Sequence, residues 1–129
     1  MNVTLIYTGA LAIWFLVLSM RVVQGRMGPG NPGLGDGGNP MMLRRIRGHA
    51  NFAEYVPLIL LMMAFLELSG LSKWVVHCLG AMLLVGRLLH GYALSFTKDH
   101  PFGRTAGILL TFVSLLTGGG LCLYQGLQG

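Results

Sequence analysis

At 129 residues, 53% of them hydrophobic and only 10% charged, the chain is far poorer in charge than a soluble protein, in which about a quarter of residues are charged. It has the length of one domain and is too short for a separate soluble domain beside several membrane spans. The formal net charge of +5 is not a nucleic-acid footprint, because the basic residues are confined to segments between apolar runs, as membrane topology requires.

The first apolar run, residues 3–23, has no charge before Arg21 and matches the roughly 20 residues needed to cross a hydrocarbon core. No Lys or Arg precedes it, so it lacks the basic leader of a signal peptide and is expected to be a retained span. Residues 25–40 are so rich in Gly and Pro that neither helix nor strand can persist, which predicts a flexible surface loop. A second helix is expected over residues 40–68, a third over 72–96 and a fourth over 102–127. Residues 105–129 contain no Asp, Glu, Lys, Arg or His, which makes the last span the plainest. The links near Ser69-Gly70 and from Lys98 to Pro101 are short, so successive helices should be antiparallel neighbours. The fold class expected is all-α: a single integral-membrane domain, a four-helix bundle running up-down-up-down.

Orientation follows from the Lys and Arg in each connection. The first contains or adjoins Arg21, Arg26, Arg44, Arg45 and Arg47, the third has Lys98 and Arg104, and the second has only Lys73. By the positive-inside rule the first and third connections face the cytoplasm and both termini lie outside.

Against this background the run from Arg47 to Pro57 stands out, because it carries Arg, Asn and Glu straight into the apolar stretch Leu58 to Leu66. Charged side chains at membrane depth persist where they face a cavity or a partner, so a site is the default expectation. At 100° per residue Arg44, Arg47, Asn51 and Glu54 share one stripe, and Arg47 to Glu54 climbs about 10 Å along the axis. The third helix adds Arg87, with His90 one edge over, and Arg104 and Thr105 open the fourth. Three helices would thus bring arginines to one depth on the cytoplasmic side, able to grip one extended polar ligand.

The pattern Arg47-x-x-x-Asn51-x-x-Glu54-Tyr55-Val56-Pro57-Leu58, with Glu67 at the helix end, Gly86-Arg87-x-x-His90 on the third helix and Arg104 after the third connection, resembles the MAPEG family, membrane-associated proteins in eicosanoid and glutathione metabolism. The likeness covers nearly the whole chain. With its small size and glycine-rich first loop, the chain is most similar to the short bacterial branch. The resemblance implies a homotrimer in a bacterial inner membrane, binding glutathione as co-substrate between neighbouring protomers. It further implies that Arg47, Asn51, Glu54 and Tyr55 hold the peptide part of glutathione and that Arg87 and His90 line the same pocket. Arg104 would lie near the sulfur with Thr105 as a hydroxyl beside it, and Arg26 would be the first-loop arginine that reaches a neighbour's ligand. Two positions depart from the eukaryotic pattern: Leu94 stands where several members carry an aromatic hydroxyl, and Ala50 where some carry a further arginine. Eicosanoid specificity is therefore not implied.

The residue types suit that chemistry independently. A cysteine-type thiol of pKa about 8.5 is only a few per cent thiolate at neutral pH, and a neighbouring arginine lowers that pKa. Arg104 supplies such a field, with Thr105 donating to sulfur, and a lipophilic electrophile arrives from the bilayer. The activity expected is a glutathione-dependent transferase, or a peroxidase acting on lipid hydroperoxides. The alternative is a trimeric membrane protein that binds glutathione or a lipid without turnover. A channel or transporter is disfavoured, because the charges stop at one face of the membrane.

Bland readings stand beside these. Arg44 and Arg45 serve as interfacial anchors, Lys98 and Asp99 form a solvated turn, and Arg47, Asn51 and Glu54 have a structural network as their rival role. His90 has a helix-packing rival. Glu67 and His77 lie near the outer ends of their helices, close enough in depth to pair, but two ligands do not make a metal site. Cys78 and Cys122 are expected to be small buried residues, away from the arginines, and form a disulfide only if their Cα atoms lie within about 7 Å.

Overall fold

The computed structural model describes residues 1–28, 30 and 33–129. Pro29, Asn31 and Pro32 of the expected loop lie outside the described residues. Four helices run as α1 (Asn2–Met27), α2 (Pro40–Leu68), α3 (Lys73–Ser95) and α4 (Pro101–Gln128), and all four are long and apolar enough to span a membrane. Each boundary falls within a few residues of expectation; α1 continues past residue 23 to Met27 before the glycines stop it.

The starts of α1, α2 and α4 are set by side chains that satisfy otherwise orphaned N–H groups, whereas α3 begins at Ser72 without a side-chain cap. Asn39 Oδ1 accepts from Met41 N at 2.9 Å and Met42 N at 3.3 Å, ahead of Pro40 in the first turn of α2. His100 Nδ1 accepts from Gly103 N at 2.9 Å, with Pro101 leading α4. The start of α1 is capped from another helix: the Glu67 carboxylate, at the end of α2, accepts from Val3 N, Thr4 N and Thr4 Oγ1 at 2.9, 2.8 and 2.6 Å. The Met1 ammonium lies 3.5 Å from the same carboxylate. Glu67 is therefore not paired with His77, whose Nδ1 lies 3.2 Å from Tyr7 Oη; α1 separately engages both groups.

At the α2–α3 turn Gly70 has a φ of 87°, which a residue with a Cβ resists, and the turn closes through Gly70 N to Glu67 O and Leu71 N to Leu66 O. α1 packs on α2 and α3, and α4 packs on α3 and α2, while α1 and α4 do not meet among the described residues. The shared core of Leu11, Leu18, Phe52, Val56, Ile59, Met63, Val76, Leu79 and Leu83 comes from α1, α2 and α3. α4 instead carries a buried small-residue stripe, Gly103, Gly107, Thr111, Ser114 and Gly118, whose Gly107 meets α3 and whose Gly118 meets Met62 of α2. A Cβ at Gly107 would lie 2.6 Å from the Gly86 carbonyl oxygen, and one at Gly86 would lie 2.9 Å from the Gly107 oxygen. Backbone thus rests on backbone, the usual way helices associate where lipid removes the hydrophobic drive. Cys78 and Cys122 are free, and neither is buried as expected: Cys78 is exposed on α3 and Cys122 is half-buried.

Candidate functional site

At the end of the bundle where α1 stops and α2 begins, a cleft of about 210 Å³ is lined by Leu43, Arg44, Arg47, Asn51, His90, Leu94 and Arg104. The stripe on α2 supplies one wall, because residues at positions i, i+3 and i+7 of a helix lie one above another. α3 supplies His90 and Leu94, and the start of α4 supplies Arg104.

Behind the cleft lies Arg87, wholly buried. Its Nη1 donates to Asn51 Oδ1 at 2.7 Å and to Thr111 Oγ1 at 3.3 Å, and its Nη2 lies 3.2 Å from His90 Nδ1. Its Cζ stands 5.8 Å from the centre of the Phe52 ring, and its Nε is buried without a partner. No carboxylate pairs with it; the one ion pair among the described residues is that of Met1 with Glu67. A buried cation neutralised only by neutral acceptors and a ring face is costly. An anion in the cleft in front of it would offset that cost.

The arginines of the cleft differ in what they are free to do. Arg44 Nη2 donates to Ala93 O at 2.7 Å and its Nε to Thr97 O at 3.2 Å, so it closes the carbonyl end of α3. Arg21 reaches the same end from α1, donating to Ser95 O while lying 4.4 Å above the Phe96 ring. Among the described residues Arg47 and Arg104 have no hydrogen-bond or ion-pair partner; both are exposed, and both cations are available to a ligand.

Of the residues expected at the site, Arg47, Asn51, His90 and Arg104 share the cleft, and Arg87 holds Asn51 and His90 from behind. The rest lie elsewhere in the protomer. Glu54 is exposed on α2, without a partner among the described residues, one turn beyond Asn51 and outside the cleft lining. Tyr55 packs edge-on against Phe112 of α4, ring centres 5.6 Å apart. Arg26 donates to Gly33 O at 3.1 Å across the start of the loop. Thr105 is separated from Arg104's cleft: it lines a shallow apolar groove with Pro101, Phe102, Ala106 and Leu109.

Three participants, Thr111, Phe52 and Trp14, escaped the sequence reading as parts of the site, and Arg44, on the expected stripe, has a second duty. Arg44, read as an anchor, both lines the cleft and caps α3. Thr111 and Phe52 hold the buried guanidinium; Thr111's place on the small-residue stripe of α4 was the available signal. Trp14 donates through Nε1 to Arg87 O at 2.9 Å, bringing α1 against the site helix where Gly91 leaves room.

The MAPEG family model matches residues 4–124. The inner membrane protein YecN of Escherichia coli strain K12 is 38% identical over 114 residues, covering 88% of this chain and 85% of that protein. YecN of Escherichia coli O6:H1 matches to the same extent. No solved structure matches the chain.

Proposed function

The chain belongs to the MAPEG family, and from that premise we propose that it is a membrane-bound glutathione transferase, or a peroxidase, working as a homotrimer on lipophilic electrophiles. The observation that carries the reading is a cleft with three arginines on its walls and a fourth buried behind it, with no carboxylate in its lining. Such a site suits a ligand with several negative charges, and glutathione carries two carboxylates and an ionisable thiol. Arg47 and Arg104 act as its two unengaged cations, and Asn51, ordered by Arg87, is a polar contact between them. Glu54 binds the ligand's ammonium from the open side, where a neighbouring protomer completes the pocket with Arg26, and Tyr55 supports that wall. The apolar acceptor approaches along the groove containing Phe102 and Thr105, which places Arg104 between lipid and cleft. The protein is integral to an inner membrane, with the cleft facing the cytoplasm and both termini outside.

Turnover in this reading needs little covalent chemistry from the protein. Arg104 stabilises the thiolate left when the thiol proton passes to solvent, with positioning and electrostatics supplying the acceleration. In conjugation the sulfur bonds to carbon as a leaving group departs or a double bond takes up a proton. In the peroxidase case it takes the outer hydroperoxide oxygen, releasing the alcohol, and a second glutathione reduces the sulfenic acid to disulfide and water. A thiol pKa lowered by two units corresponds to about 2.7 kcal/mol of differential stabilisation. The absorbance of bound glutathione thiolate, followed against pH in wild type and Arg104→Ala, measures this directly. The wild-type titration should move well below the free-thiol value of about 8.5, and that of the variant should return toward it.

A second reading is binding of glutathione or lipid without turnover. It is favoured by Leu94 in the cleft and Thr105 outside it, which leave no hydroxyl among the cleft-lining residues beside Arg104. Identical titrations in the two proteins, both at the free-thiol value, would select this reading.

A further inference from the structure

Three aromatic rings and a guanidinium gather where α1 meets the end of α3, and none of them lines the cleft. Phe96 stacks on Trp14 and on Tyr92, with ring centres 6.2 and 5.8 Å apart and interplanar angles of 19° and 11°. Arg21 lies over the Phe96 ring, its Cζ 4.4 Å from the centre. Tyr92 is 51% and Phe96 40% exposed, so this aromatic shelf is open on one side.

Arg21 is held in place without being neutralised. Its Nε and Nη2 donate to Ser95 O at 3.3 and 3.0 Å, and its Nη1 donates to Gln24 Oε1 at 3.3 Å. Those acceptors are uncharged, and among the described residues they leave one N–H on each Nη of the five that a guanidinium carries. A second guanidinium backs the first: Arg45 Nη1 donates to Arg21 O at 3.1 Å, and Arg45 Nε is buried without a partner among the described residues. No carboxylate answers either charge, since the one ion pair among the described residues joins Met1 to Glu67.

Further along the span the seam turns apolar. Trp14 and Tyr7 follow Arg21 at seven-residue intervals on one face of α1, and Val85 and Leu88 are exposed on the face of α3 that carries Tyr92. Two spare N–H groups on a fixed cation, set above an aromatic shelf at the end of a spanning helix, match the phosphate and upper chain of a phospholipid.

We propose that the α1–α3 seam binds one anionic phospholipid, whose phosphodiester takes the spare N–H groups of Arg21 and whose acyl chain lies over Trp14 and down the seam. Arg21 and Arg45 together select an anionic headgroup, because a choline would bring a third cation into the same corner. The site is separate from whatever the cleft binds. Arginine is required at position 21, since only its planar fork can hold Ser95 O, lie flat on Phe96 and still offer an N–H from each Nη. Lysine would keep the charge and lose that arrangement.

Native mass spectrometry of the full-length protein in detergent, titrated with phosphatidylglycerol and separately with phosphatidylcholine, counts the lipid retained and gives its affinity. Wild type should hold phosphatidylglycerol about tenfold more tightly than phosphatidylcholine. Arg21→Lys should weaken phosphatidylglycerol binding about tenfold, as expected for loss of a charge-assisted fork. Arg47→Ala, which removes a charge from the cleft instead, should stay within about twofold of wild type. Equal retention of the two lipids by wild type would overturn the proposal without recourse to any variant. A preference that survives in Arg21→Lys would overturn it too, because Arg21 would then be an anchor that any cation can replace. A loss in Arg47→Ala as large as that in Arg21→Lys would move the lipid into the cleft and end the proposal. Inorganic phosphate that displaces phosphatidylglycerol as effectively as added lipid does would reduce the seam to an anion site and overturn the lipid assignment.

Discussion

The four cations grouped around the cleft are chemically alike and structurally unequal. Arg44 and Arg87 are tied to protein acceptors, whereas Arg47 and Arg104 are not. Substitutions should sort accordingly. Arg47→Ala and Glu54→Gln are each expected to weaken glutathione binding by roughly ten- to a hundredfold, through loss of a charge-assisted hydrogen bond. Lys98→Ala, outside the cleft, should leave the isotherm unchanged. Unaltered binding in well-folded Arg47 and Glu54 variants would assign the pair to structure. At this scale the α2 stripe was legible because helical spacing alone aligns Arg44, Arg47 and Asn51. The second duty of Arg44 was not, because it depends on where the carbonyl end of α3 comes to rest, a tertiary fact. Thr105 illustrates the converse: adjacent to Arg104 in sequence, it points about 100° away around the helix, and that rotation puts it in a different groove.

The helices themselves were readable to within a few residues, since apolar length and proline or glycine punctuation act locally. What joins them was less so. Glu67 was visible as an isolated acid near a helix end, but its partner is the start of α1, more than sixty residues away in sequence. Its side chain is only 4% exposed and accepts three hydrogen bonds. Glu67→Ala leaves the first turn of α1 uncapped and should cost about 1–3 kcal/mol of stability, read as a lowered thermal midpoint in detergent. Glu67→Gln, which keeps an acceptor, should recover part of the loss. An unchanged midpoint in Glu67→Ala would mean that core packing alone holds α1 in place.

For the whole molecule, family membership, four spans and an all-helical bundle agree with the reading of the sequence. Assembly is a matter of what the protomer leaves open. Glu54 is exposed on a spanning helix with no partner among the described residues, and a bare carboxylate facing lipid is expensive. A homotrimer that encloses it is therefore expected to appear on cross-linking in mild detergent. Monomers alone would argue against it. An appended C-terminal cysteine should label only from outside the membrane, and cytoplasmic labelling would invert the topology.

The bond from Trp14 to the Arg87 carbonyl gives the protein a built-in optical reporter. Its two tryptophans occupy unlike settings: Trp14 leans on the helix that carries Arg87 and His90, whereas Trp74 is 80% exposed near the start of α3, at the far end of the bundle. Replacing Trp74 by Phe leaves a single indole whose N–H is anchored on the backbone carbonyl of the residue that bears the buried guanidinium. Any ligand that draws on Arg87, Asn51 or His90 should then alter the colour or brightness of that emission, so occupancy of the cleft can be followed in unlabelled protein, in detergent or in vesicles.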